Sequence, residues 1–125
     1  CRPIPGDRIV GVRHPGGPIV VHSIDCASLA DESGEWLEIG WGEDSAGAVA
    51  RIAVVVHNQP GALASLAASL ATHNANIVNL GLKHRDREFH TDVIDIEVEN
   101  TKHLARILAA LRQLKAVVSA DRIRG

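Results

Sequence analysis

The chain has no methionine and no tyrosine, and only one phenylalanine and two tryptophans, in 125 residues. Readers of single-stranded RNA stack bases on several exposed rings. Trp36, Trp41 and Phe89 do not furnish such a platform. Charge of one sign is also lacking: 13 Lys and Arg stand against 15 Asp and Glu, a formal net charge of −2. That balance gives no general pull toward nucleic acid or anionic membranes. No apolar run approaches the roughly 20 residues of a membrane-spanning helix, and no secretory leader is legible. With Cys1 and Cys26 as the only cysteines, a disulfide scaffold is not indicated, and a reduced, cytoplasmic setting fits better. The chain opens at Cys1 in a Pro/Gly-rich stretch, without a start methionine, so it is expected to be a piece of a longer protein.

Apolar residues make up 46% of the sequence, with both charge signs interspersed; this favours a folded globular protein over disorder. The order of signals suggests two units. Residues 1–41 contain short β-branched runs, Ile9–Val12 and Ile19–His22, about the turn His14-Pro-Gly-Gly-Pro18. A short helix capped by Ser23 or Asp25 is expected through Leu29 and Ala30, ended by Gly34. A third strand is expected over Glu35–Trp41, where alternate residues are apolar. Some 40 residues make a marginal core alone, and a metal or a neighbour would help. Residues 42–48 are small and polar and read as a linker.

Residues 49–125 carry a regular pattern. Ile52–His57 predicts a strand, and Leu63, Leu66, Ala67 and Leu70 predict a helix over about 61–73. Alternation predicts a strand over Asn76–His84, with Val78, Leu80 and Leu82 on one face. Arg85–Glu88 reads as a hairpin turn. Phe89–Glu99 reads as a strand with one wet face. Asn100 or Thr101 caps a second helix, whose stripe is Leu104, Ile107, Leu108, Leu111 and Leu114, and Ala116–Ile123 is a last strand. The sum is an α+β, ferredoxin-like βαββαβ unit with both helices on one sheet face.

The segment His57-Asn58-Gln59-Pro60-Gly61-Ala62-Leu63 is the most informative. Pro60 has no N–H to lose and suits a first helical position. Gly61 lets a ligand approach the backbone. The free N–H groups of Gly61, Ala62 and Leu63 then suit a carboxylate. Asn58, Asn76 or Asn79 is placed to accept from an ammonium group, and Leu63, Ile77 and Val78 to wall an apolar pocket completed by a second subunit. No aromatic or charged side chain is expected there, which points to valine, isoleucine or leucine. A turn that binds nothing is the competing reading.

The βαββαβ order with Gln59-Pro-Gly-Ala-Leu63 after its first strand resembles the ACT domain, a regulatory module that often binds amino acids. Asn76-Ile-Val-Asn79 sits where that family tends to contact its ligand. The commonest family form has Asp at the position of Gln59. The segments Cys1-x-Pro-Ile-Pro-Gly-Asp-x-Ile-Val-Gly11 and Ile19-Val-Val-His22-x-x-Asp25-Cys26 resemble the conserved-cysteine, zinc-finger-like domain that precedes ACT in RelA/SpoT homologues, the bifunctional (p)ppGpp synthetase/hydrolases. The resemblance implies a homodimer, upstream catalytic domains as partners, and a ligand that biases the parent toward (p)ppGpp hydrolysis. It implies, as an alternative, a ribosome-docking module, with Arg2, Arg8, Arg13, Arg122 and Arg124 near phosphates. Enzymatic residues are not expected in this stretch: no nucleophile–base arrangement is present, and Gly16-Gly17 lacks the Lys-Ser/Thr of a phosphate loop.

Cys1, His22 and Cys26 are three soft-metal ligands where zinc usually takes four. A packing motif with buried thiols competes with a metal site and with a thiol or metal sensor. The resemblance implies a second, preceding cysteine and zinc in the intact parent, and no cofactor is assigned to this chain. Most other histidines read as surface or strand-end residues. Asp95, Glu97 and Glu99 share a strand face that reads as a solvated or dimer-facing edge, and Asp92 lies beside them in the sequence.

Overall fold

The computed structural model describes residues 3–24, 34–41 and 47–123. In the N-terminal unit, β1 (Ile9–Arg13) lies between β2 (Ile19–Ser23) and β3 (Glu35–Glu38) in an antiparallel sheet. The β1–β2 turn closes with the Gly17 N–H donating to the His14 carbonyl at 3.0 Å. Ser23 closes β2; the helix expected through Leu29 and Ala30, with Asp25, lies outside the described residues. β3 stops at Glu38, short of the expected Trp41. The Trp41 indole N–H instead donates to the Asp7 carbonyl at 2.8 Å, tying the end of this unit to its beginning.

The second unit runs β4 (Ala48–His57), α1 (Ala62–Thr72), β5 (Asn76–Arg85), β6 (Phe89–Val98), α2 (Thr101–Arg112) and β7 (Val117–Arg122). Its sheet has the order β5-β6-β4-β7, with every pair antiparallel. This is the expected ferredoxin-like βαββαβ arrangement. β4 begins at Ala48, four residues before the expected Ile52. Ala48 and Ala50 continue the inward alternation of Ile52, Val54 and Val56, but their small side chains blur the hydrophobic signal.

Even-numbered residues of β4 and β6 meet the helices. Ile52, Val54, Val56, Ile94 and Ile96 are fully buried with Leu66 and Leu70 of α1 and Ile107 and Leu111 of α2. Leu63, expected in the α1 stripe, is 46% exposed. Asn100 caps α2, its side chain accepting from the His103 N–H at 2.9 Å. His103, expected at the surface, is buried: its Nδ1 accepts from the Glu99 N–H at 2.9 Å, and its Nε2 donates to the His73 carbonyl at 2.7 Å. It thereby joins the end of α1 to the start of α2. The acidic face of β6 also differs from expectation. β6 is an inner strand, and Asp95 is buried by a two-point ion pair with Arg51, at 2.8 and 3.2 Å. That carboxylate holds the Arg51 guanidinium pKa above its ordinary value, by hydrogen bond and by charge.

The segment ahead of β1 packs against the second unit. Ile4 is fully buried within the βαββαβ core, a burial worth about 1.5–3 kcal/mol. The Pro5 carbonyl accepts from the Thr101 N–H at 2.8 Å, at the first turn of α2.

Candidate functional site

The β4–α1 turn differs from the predicted form. Gly61, not Pro60, makes the transition: it is the N-cap, in a left-handed conformation with φ 82°, and α1 begins at Ala62. Glycine adopts that conformation without the Cβ penalty. The Ala62 N–H is held by the Gln59 carbonyl at 3.3 Å, and the Gln59 N–H by the His57 carbonyl at 2.9 Å. Of the expected carboxylate donors, Ala62 is therefore occupied by the turn. Among the described residues, no hydrogen bond uses the N–H groups of Gly61, Leu63 or Ala64, which face outward at the positive end of the helix.

Asn58 fixes the turn to the β5–β6 hairpin. Its N–H donates to the Glu88 carbonyl at 2.8 Å and its side-chain amide donates to the Asp86 carbonyl at 2.7 Å. Asp86 in turn accepts from the N–H groups of Phe89 and Glu88 at 2.8 and 2.9 Å. Those two bonds, with a smaller contribution from His84, hold its carboxyl pKa below the ordinary value. His57 and Phe89, opposite each other in the ladder, bring their rings to 5.2 Å beneath the turn.

Between this turn, β5 and β6 lies a cleft of about 380 Å³, lined by Asn58, Leu63, Leu80, Leu82, Arg85, His90 and Asp92. It is of the size of small-molecule pockets. Its composition follows from a β-bulge. β5 pairs Ile77 with Ile96, then Asn79 with Asp95 and Leu80 with Ile94. The extra residue at Val78 breaks the expected Val78/Leu80/Leu82 face. Leu80 and Leu82 thereby fall on the helix side with Ile77. α1 leaves them uncovered, at 42% and 57% exposure.

Of the ten residues expected to bind ligand, Asn58 and Leu63 line this cleft. Gln59, Pro60, Gly61 and Ala62 form the turn at its rim. Asn76 and Asn79 are exposed, opposite Glu97 and Asp95; Val78 is the bulge, and Ile77 packs against the core. The cleft also holds charge that was not expected. Arg85 is exposed, whereas the side chains of His90 and Asp92 are 12% and 5% exposed. His90 Nδ1 and Asp92 Oδ1 lie 3.2 Å apart. A sequence signal for this pair existed: His90 and Asp92 share the strand phase of Ile94 and Ile96, so two polar side chains extend an apolar face.

Of the expected metal ligands, Cys1 and Cys26 lie outside the described residues. His22 is buried in β2 opposite Val10. Among the described residues, no group of three or more His, Cys, Asp or Glu is arranged to hold a metal ion, and no helix is long and apolar enough to cross a membrane.

Comparison with known proteins places this geometry. Residues 47–122 match the family model of the ACT domain. The chain belongs to the ACT-domain family. Residues 1–42 match the RelA/SpoT RIS domain, so the chain is a regulatory RIS–ACT region of the RelA/SpoT type. It is 38% identical over 128 residues to the GTP pyrophosphokinase rsh of Brucella abortus strain 2308, covering 98% of this chain and 17% of that protein. It is 30% identical over 128 residues to the bifunctional (p)ppGpp synthase/hydrolase SpoT of Escherichia coli K12, covering 99% of this chain and 18% of that protein. The chain thus spans less than a fifth of the length of these relatives. In fold, it is similar to the crystal structure of the ACT domain from the GTP pyrophosphokinase of Chlorobium tepidum. That match has a TM-score of 0.55 and 23% identity, and covers 62% of this chain and 99% of that one.

Proposed function

We propose that this ACT region senses a branched-chain amino acid for a (p)ppGpp synthetase/hydrolase. The ligand binds in the cleft at the start of α1, where two copies meet along β5. Its occupancy biases the parent protein toward (p)ppGpp hydrolysis. The observation that carries this reading is the cleft itself: unused helix-start N–H groups stand beside an apolar wall of Leu63, Leu80 and Leu82. A backbone anion site next to an aliphatic wall suits a small amino acid with an aliphatic side chain.

Supporting a second copy, β5 is a sheet edge ten residues long. Its apolar side chains Val78, Leu80 and Leu82 are exposed, and natural edges of that kind are usually covered. The names of the relatives supply the chemistry of the parent. A ligand acts on that chemistry only by preferring one arrangement of the parent over another.

Titration calorimetry of the chain with valine, isoleucine and leucine, against glutamate, arginine and phenylalanine, tests the first step. Saturable heat with the aliphatic set alone is the expected result. Heat with none of the three overturns the reading. For the second step, valine added to the full-length protein is expected to raise (p)ppGpp hydrolysis relative to synthesis, and no change in that ratio removes the regulatory half.

A further inference from the structure

We propose that Asp92, held by His90, receives the ligand's ammonium group, so that the cleft distinguishes an amino acid from the 2-oxo acid of the same carbon skeleton. This rests on the amino-acid reading above and deepens it. Asp92 is 3% exposed on an inner strand, in phase with Ile94 and Ile96. A carboxylate in such a place is costly unless a cation or several donors meet it. Its Oδ1 has the His90 ring at 3.2 Å, and its Oδ2 has no hydrogen-bond partner among the described residues. The carboxylate only accepts, so His90 carries its proton on Nδ1 in that contact. Arg85 lines the same cleft but makes no ion pair with Asp92.

One pole of the cleft therefore lacks a donor, and the other offers donors without acceptors. The second pole is the start of α1, where the N–H groups of Leu63 and Ala64 are unused among the described residues; Arg85 lines the same cleft. A zwitterion satisfies both. Its ammonium brings three donors to Asp92, its carboxylate meets the helix start, and its aliphatic group lies on Leu80 and Leu82. Oδ2 is itself withdrawn from solvent, so the ammonium meets it as the carboxylate turns partway about the Asp92 Cβ–Cγ bond, a broad torsion, toward the cleft that Asp92 lines. A 2-oxo acid keeps the carboxylate and the aliphatic group but leaves Asp92 as it is.

The experiment compares valine, 3-methyl-2-oxobutanoate and isobutylamine on the unaltered chain and on Asp92→Asn, by calorimetry, with thermal melting as the check of folding. On the unaltered chain, valine is expected to bind roughly tenfold to a hundredfold more tightly than the oxo acid, the range for a hydrogen bond to a charged group. In Asp92→Asn that gap is expected to close to a few-fold. An equal gap in both proteins overturns the role of Asp92 while leaving amino-acid binding in place. Equal binding of valine and the oxo acid to the unaltered chain overturns it without any variant. Absence of valine binding defeats the functional reading itself. If Asp92→Asn does not fold, the Asp92 carboxyl ¹³C resonance of the unaltered chain decides. It is expected to move with valine and isobutylamine and not with the oxo acid; movement with the oxo acid alone overturns the assignment.

Discussion

Asp7 and Arg122 form a two-point ion pair, Nη1 to Oδ1 and Nη2 to Oδ2, each 2.8 Å, joining the start of the RIS unit to the last strand of the ACT unit. Both side chains are withdrawn from water, at 5% and 12% exposure. Asp7 Oδ2 also accepts from the Ile4 N–H at 2.8 Å, so the pair positions the residue that enters the ACT core. Breaking a buried pair by removing one partner costs about 3–5 kcal/mol. Asp7→Asn is expected to destabilise the chain by roughly that amount, and the double variant Asp7→Asn/Arg122→Gln by less than the sum of the singles. Urea denaturation of the four proteins checks both statements. Additive losses would mean that the two residues act separately.

Two glycines in positive-φ backbone differ in what surrounds them. Gly61, with φ 82°, has open space where a Cβ would stand. Gly61→Ala therefore carries backbone strain alone, about 1–2 kcal/mol, and Gly61→Asn is expected to cost less. Gly6, with φ 102°, packs so closely on Thr101 that a Cβ would collide with its hydroxyl. Gly6→Ala adds steric overlap, roughly 1–3 kcal/mol, to the strain. Thermal melting is expected to rank Gly6→Ala below Gly61→Ala, and the reverse order would contradict this packing.

Strand and helix order was legible in the sequence because alternation and helical spacing are local properties. Val54 and Val56, or Ile107 and Leu111, declare their burial within one element. What escaped was set by partners far along the chain. The bulge at Val78 is a misfit between β5 and β6, and it decides that Leu80 and Leu82 face the cleft. Ile4 is buried in a core whose other members begin at Ala50, and the Asp7–Arg122 pair spans 115 residues of sequence. The Pro60-Gly61 pair marks a helix start in the sequence, but the left-handed cap at Gly61 sets that start at Ala62. Asp92 lies on the opposite sheet face from Asp95, as strand alternation requires, but its burial beside His90 was not legible.

β5 supplies a test of the second copy that is independent of ligand. Val78 is 52% exposed on this edge and lies outside the cleft. Lysine on an edge strand opposes pairing with another edge. Val78→Lys is expected to shift the chain from dimer to monomer in sedimentation velocity, with the melting temperature measured under monomeric conditions little changed. A chain that sediments identically with and without the substitution does not join through β5.

Asp86 makes the hairpin beside the cleft sensitive to acid. The N–H groups of Phe89 and Glu88 favour its ionised form and lower its pKa in the folded hairpin. A carboxyl whose folded pKa is depressed stabilises the fold above its unfolded value, near 4. That contribution disappears as pH falls through the lowered folded value. Asn58 bonds the Asp86 carbonyl, so loosening of this turn reaches the start of α1. Amide exchange at Phe89 and Glu88, corrected for intrinsic pH dependence, is expected to accelerate on acidification below about pH 4. In Asp86→Ala the protection is expected to be low already at neutral pH and to lose that acid step. An acid step of the same size in the variant would assign the transition to another group.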